Sequence, residues 1–297
     1  MSAASLPPVT DTDSQTRPIL TPKSVLPIFF LLAIIFGPIG GLLLWASDKV
    51  QEISIDYTTC GVQAPFDFEP IPSGHVSSSF SSKSPVNVQW RRTSEMITYT
   101  LPTNAHNTTI CELQFDIPNE LKAPVLLYYR LTKFYQNHRR YVRSIDQDQI
   151  QGQARTAAEV KGSYCDPLTL GEDGKPYYPC GLIANSLFND TISSPQFLNG
   201  TQYPMSNSNI AWPSDATIFA TTKYTADQVV PPPDWRKRYP VYNESFPIPD
   251  IHTWQELQVW MRTAGLPTFS KLALRSDSAS MPAGTYRMNV TDGKHQL

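Results

Sequence analysis

The chain has 297 residues, enough for one large domain or two small ones with a true core. Its net charge of −2 excludes a long-range field that would gather polyanions, so any basic cluster acts only locally. Its 27 prolines, about twice the usual share, exclude an architecture of long helices and favour extended segments and turns.

Residues 1–24 form a polar tail without cysteine or glycosylation acceptor. "VLPIFFLLAIIFGPIGGLLLW", Val25–Trp45, follows, and no charge occurs from Ser24 through Ser47. Twenty-one helical residues span about 31 Å, the thickness of the hydrocarbon core. A transmembrane helix is therefore predicted over 25–45. A cleaved signal peptide has an apolar stretch of only about 7–15 residues, so this segment is read as an uncleaved anchor. Ala33, Gly37 and Gly41 recur every fourth residue and give one helix face a stripe of small side chains, where a partner helix could approach closely. Pro38 is expected to kink the helix there.

Residues 46–297 hold all four cysteines and five N-x-S/T sequons, at Asn107, Asn189, Asn199, Asn243 and Asn289. That one-sided distribution argues for a lumenal or extracellular domain. Arg17 and Lys23 before the span, against Lys49 after it, point weakly the same way. Strands are predicted at 52–57, 95–101, 111–117 and 124–131; Leu113, Phe115 and Ile117 alternate onto one face. "SGHVSSSFSSKS" reads as a low-complexity mobile run. Near the end, "HTWQELQVWMRTAGLP" reads as a helix capped by Thr253, with Glu256 completing a capping box and Gly265 and Pro267 stopping it. The expected fold is a mostly antiparallel, β-rich ectodomain with a few short helices and one N-terminal transmembrane helix.

Four cysteines allow three pairings. Cys165 and Cys180 bracket "CDPLTLGEDGKPYYPC", a loop with turn residues that closes on itself, so sequential pairing is expected: Cys60 with Cys111 and Cys165 with Cys180. Ligand spacing for zinc is absent. No GxSxG, HExxH, Walker A or dinucleotide fingerprint occurs, and neither enzymatic activity nor a cofactor is expected.

"KFYQNHRRYVRSIDQDQIQG", 133–152, is the densest basic stretch and interleaves arginines with aromatics. Such a pattern can bind nucleic acid, but a lumenal domain does not meet it. Arg139, Arg140 and Arg143 keep three candidate roles: folding against Asp146 and Asp148, docking on an acidic partner, or touching lipid headgroups. Asp146 and Asp148 also form an Asp-x-Asp triplet of the kind that holds a divalent metal in anchored sugar-transferring enzymes. Such an enzyme, or a surface adhesion or sugar-binding module, are the alternative readings.

"DYTTC", "FYQNHRRYVRS", "YPCGLIANSLFND", "IAWPSD", "PPPDW" and "VWMRTAGLPTFSKL" occur in this order. Together they resemble the cell cycle control protein 50 / ligand-effect modulator 3 family, noncatalytic β subunits of type IV P-type ATPase lipid flippases, from about Val25 to Asn289. The resemblance implies a glycosylated, disulfide-bonded β ectodomain between two transmembrane helices, with sequential cysteine pairing. It implies binding to the ATPase α subunit in the bilayer, support of its exit from the endoplasmic reticulum, and assistance to phospholipid translocation in Golgi, endosome or plasma membrane. It also places "TAGLPTFSKL", with Leu266 and Phe269, near the membrane or the partner. Two departures stand out. Pro213 replaces a usual lysine, for which a local backbone change is expected. After Asn289 the sequence reads "VTDGKHQL" without a second apolar run, so a form lacking the second span is expected.

Overall fold

The computed structural model describes residues 22–98 and 105–291. Two compact units divide between Val50 and Gln51. The first contains α1 (Pro22–Asp48), which continues through Pro27 and Pro38 and exposes its large apolar side chains. Val25–Asp48 has a mean hydropathy of 2.4, and among the described residues this is the one helix long and apolar enough to cross a membrane. It outruns the predicted span by three residues at either end.

The second unit is β-rich. Its strands are β1 (Glu52–Ile55), β2 (Glu69–Pro70), β3 (Val76–Ser79), β4 (Val88–Thr98), β5 (Ala105–Ile117), β6 (Val125–Leu131), β7 (Thr191–Ile192), β8 (Gln196–Phe197), β9 (Phe269–Ser276) and β10 (Gly284–Thr291). Single-turn and two-turn helices fill the connections: α2 (Cys60–Gln63), α3 (Arg139–Val142), α4 (Gln147–Ile150), α5 (Ala157–Lys161), α6 (Leu182–Asn185), α7 (Asp215–Ile218) and α8 (Gln255–Met261). The main sheet has the order β2-β4-β5-β10-β7, with β8 also on β10, all antiparallel. β1 pairs with β3 and β6 with β9, again antiparallel.

The period of two places the main core. Leu113, Phe115 and Ile117 of β5 are buried with Val88 and Trp90 of β4 and Tyr286 and Val290 of β10. The opposite face carries the polar partners: Arg91 lies across from Glu112 and donates to it at 2.8 Å, and Arg287 Nε donates to Gln114 Oε1 at 2.9 Å. Both guanidinium groups stack on Phe68, at 4.6 and 4.7 Å from its centroid. A second core forms around Trp260, Tyr178, Ile183, Ile251 and Leu257.

Three sequence expectations are corrected. "SGHVSSSF" is ordered: Val76–Ser79 form β3, because β1 offers an unpaired edge in register, Ile55 opposite Val76. The strand expected at 95–101 begins earlier, at Val88, and its last residues lie outside the described ones. The predicted capping box at Thr253 does not form. Thr253 Oγ1 donates to the Asp250 carbonyl at 3.2 Å, Glu256 accepts from Asn207 Nδ2 at 2.5 Å, and α8 starts at Gln255 with Trp254 in the cap position. A complete box is present instead at Thr156 and Glu159, ahead of α5.

Candidate partner-binding surfaces and the hub beneath them

The stop expected at Gly265 is corrected: α8 ends earlier, at Met261. The reason in α8 is a buried cation. Lys271 reaches across from β9 and its ammonium donates to the Val259 carbonyl at 3.0 Å and to the Arg262 carbonyl. These are carbonyls that a helix terminus leaves unpaired. Residues 262–268 are thereby freed to form the loop that carries Leu266.

Burial, and then the neighbouring Arg262 charge, pull the Lys271 pKa down from 10.5 to about 8. Below pH 8 both folded and unfolded chains hold the proton and the cost of burial is borne in full. Between pH 8 and 10.5 the folded state releases it first, so the unfolded state binds more protons and stability rises with pH. The rise is at most about 3 kcal/mol. A Lys271→Met chain should lack that increment when melting temperatures are compared from pH 7 to 10; parallel curves refute it.

The basic stretch splits by side chain. Phe134 and Tyr141 turn inward; Phe134 meets Tyr141, Trp260 and Phe269 edge to face at 5.6–6.1 Å. Tyr135 points outward and is 60% exposed. Arg139 and Arg140 lie on α3 and are exposed; Arg140 pairs with exposed Asp166 at 2.9 Å, and Arg143 lies 4.3 Å over the exposed ring of Tyr164. The expected pairing of these arginines with Asp146 and Asp148 is corrected. Both carboxylates face Arg155 instead, Asp146 at 3.9 Å, and Asp146 also caps α4 by accepting from the Gln149 N–H at 3.0 Å. The Asp-x-Asp triplet thus has a structural task, and the antiparallel sheet differs from the alternating β and α units that sugar-transferring enzymes need.

The loop 133–138 is stitched to the loop 262–267. The Phe134 N–H donates to the Pro267 carbonyl at 3.0 Å, Asn137 Nδ2 to the Gly265 carbonyl at 3.0 Å, and the Ala264 N–H to buried Gln136 Oε1 at 2.8 Å. Leu266, 69% exposed, and Tyr135 therefore stand on adjoining loops of one ridge next to the arginines. Phe269 does not join them; it packs on Trp260 and Phe134 in the core.

All six quoted motifs converge below this ridge. The segment 178–190 is their hub. Ser144 Oγ accepts from the Leu182 N–H at 2.8 Å, and Tyr141 shares a 2.8 Å hydrogen bond with Ser186. Trp235 of "PPPDW" donates its indole N–H to the Ala184 carbonyl, and Trp260 donates to the Ile183 carbonyl, both at 2.8 Å. Tyr57 of "DYTTC" donates to Asp190 at 3.1 Å. "IAWPSD" joins through Arg262, which donates to Asp215 at 2.7 Å and stacks 3.8 Å over Trp212. Pro213 is exposed in the turn closed by the Asp215 N–H to the Trp212 carbonyl, 2.9 Å. Two disulfides brace the same unit: Cys60–Cys111 ties α2 to β5, and Cys165–Cys180 closes the loop that ends at the hub. All four cysteines are buried.

The remaining site candidates are dispersed. Ala33, Gly37 and Gly41 lie on α1, and a Cβ built at either glycine meets nothing within 4 Å. Asn199 and Asn243 are exposed in turns, while Asn189 and Asn289 are half-buried, Asn289 in β10 opposite Glu112. Asn107 belongs to β5, but its side chain lies outside the described residues. Sequence reasoning missed Tyr135, Arg155, Lys271 and Arg262, because only the folded backbone decides that Tyr135 faces outward and which groups the three cations meet.

The profile of the LEM3 (ligand-effect modulator 3) family / CDC50 family matches residues 43–293. The phospholipid-transporting ATPase accessory subunit CRF1 of Saccharomyces cerevisiae is 41% identical over 92% of this chain and 68% of its own length. The corresponding subunit CDC50 of Chaetomium thermophilum is 39% identical over 92% of this chain and 70% of its own. Cell cycle control protein 50A of Bos taurus is 34% identical over 93% and 71%. The chain belongs to the LEM3/CDC50 family.

Proposed function

We propose that this chain is the noncatalytic accessory subunit of a phospholipid-transporting P-type ATPase, and that it supports the folding, export and lipid translocation of the catalytic α subunit. The observation that carries the reading is the identity to accessory subunits over nine-tenths of the chain, with the motifs shared by the family meeting in one network under an exposed ridge. In this reading α1 anchors the chain in the bilayer, residues 1–24 face the cytosol, and residues 46–297 form the lumenal or extracellular ectodomain with sugars on its sequons.

Two surfaces engage the α subunit. Within the membrane, the Ala33, Gly37 and Gly41 stripe lets a neighbouring helix approach backbone to backbone. Outside it, Tyr135 and Leu266 supply an apolar anchor ringed by Arg139, Arg140 and Arg143, a composition suited to an interface centre with a basic rim meeting acidic outer loops. Arg139→Glu with Arg140→Glu, Tyr135→Ser with Leu266→Ser, and Gly37→Leu should each lower recovery of the α subunit with the tagged chain by about tenfold, equivalent to about 1.4 kcal/mol. Each variant is first checked for an unchanged melting temperature. Full recovery of the α subunit with all three would refute both surfaces, and failure of the unmutated chain to recover any such ATPase would refute the function.

A further inference from the structure

The serine-rich run 77–84 takes no part in the surfaces assigned to the α subunit. Within it, β3 carries serine where the solvent face of a strand favours β-branched and aromatic residues. The register with β1 assigns the two faces. Ile55 lies opposite Val76 and Ile53 opposite Ser78, while Ser54 lies opposite Ser77 and Glu52 opposite Ser79. Ile53, Ile55, Val76 and Phe80 pack on the main core. Ser77 and Ser79 therefore project from the outer face, and both are exposed. Among the described residues neither hydroxyl has a hydrogen-bond partner, whereas the hydroxyls of Ser82 and Ser84 are joined at 3.0 Å. Among the same residues β3 is laddered on one side only, to β1, so its other edge is open.

We propose that Ser77 and Ser79 are O-glycosylation sites. The proposal rests on residues 46–297 being lumenal. In the transfer each serine Oγ gives up its proton and bonds to the anomeric carbon of a sugar. The bond from that carbon to the phosphate of a lipid-phosphate sugar donor breaks, and the phosphate leaves with the electron pair. Extended backbone with an open edge offers the transferring enzyme what recognition by strand addition needs: free N–H and C=O groups, with side chains on alternate faces. The added group is neutral rather than charged. Glu52 is exposed and lies opposite Ser79, so a phosphate there would meet a like charge across the strand pair. A sugar in the same place meets a carboxylate that accepts from its hydroxyls.

The test takes the full chain from a yeast secretory host, purified in detergent, then reduced and cut with trypsin for site-resolved mass spectrometry. Trypsin releases residues 50–83 as one peptide, which holds no asparagine, so any sugar on it is O-linked. Sugar masses are expected on Ser77 and Ser79 and should be lost after mild alkaline elimination. They should be absent from the peptide of Ser77→Ala/Ser79→Ala, a chain that should still melt cooperatively. N-linked sugar at Asn199 and Asn243 beside a bare 50–83 peptide overturns the proposal. Sugar confined to Ser73, Ser81 or the threonines of that peptide overturns it too, as does phosphate in place of sugar. A chain with no sugar of either kind overturns the lumenal reading and the proposal with it.

Discussion

Gly181→Ala is expected to destabilise the ectodomain by about 4 kcal/mol, at the upper end of single-residue effects. Gly181 has φ of +97°, where side chains other than hydrogen are strained, and a Cβ would lie 2.2 Å from the Ser144 carbonyl oxygen and 2.7 Å from its carbon. The obstacle is backbone, so no rotamer change relieves it. Ser144 cannot withdraw, because its hydroxyl accepts from the Leu182 N–H at 2.8 Å and the Gly181 N–H is held by the Leu168 carbonyl at 3.0 Å. This close approach lets the arginine-bearing segment lie on the hub, so the variant should also lose recovery of the α subunit. A fall of about 10 °C in melting temperature is anticipated for a unit of this size. Gly74→Ala is the control: its Cβ meets nothing within 4 Å, and the change should stay within about 0.5 kcal/mol. Equal melting temperatures for the two variants would refute the contact.

Removing Cys165 and Cys180 together should cost about 3 kcal/mol, and removing Cys60 and Cys111 together about 4 kcal/mol, because the longer loop restricts the unfolded chain more. The smaller loss has the larger local consequence. Cys180 precedes Gly181, and its N–H donates at 3.0 Å to Gln149 Oε1, whose side-chain amide in turn donates to the Tyr177 carbonyl and to Tyr224, both at 3.2 Å. Freed from Cys165, the segment 177–181 loosens beneath the ridge. Retention of the Cys165→Ser/Cys180→Ser chain in the endoplasmic reticulum, with a lowered melting temperature, is the expected result. Normal export at an unchanged melting temperature, or peptide mapping that joins the cysteines otherwise, would sink it.

Local pattern was enough where a residue's environment depends on its immediate neighbours. The alternation through Leu113, Phe115 and Ile117 fixed which face of β5 is buried, since successive side chains of a strand point to opposite sides. The uninterrupted apolar run fixed α1, because burial of its own backbone hydrogen bonds is a property of the segment alone. The order of six short motifs fixed the family, since their register is written in the chain itself.

Tertiary contact decided the rest. Whether Thr253 or Thr156 builds a capping box turned on which partner lay nearby: Asn207 claims Glu256, whereas Glu159 accepts from the Thr156 N–H and hydroxyl at 2.7 and 2.9 Å. Phe134 and Tyr135 are adjacent aromatics, yet only packing against Trp260 sends the first inward and leaves the second outside. Arg155, distant from the arginine cluster in sequence, took the carboxylates that proximity had allotted to Arg139, Arg140 and Arg143. A side chain's partner is set by which groups the folded backbone brings within hydrogen-bonding reach, and that distance is a property of the whole chain.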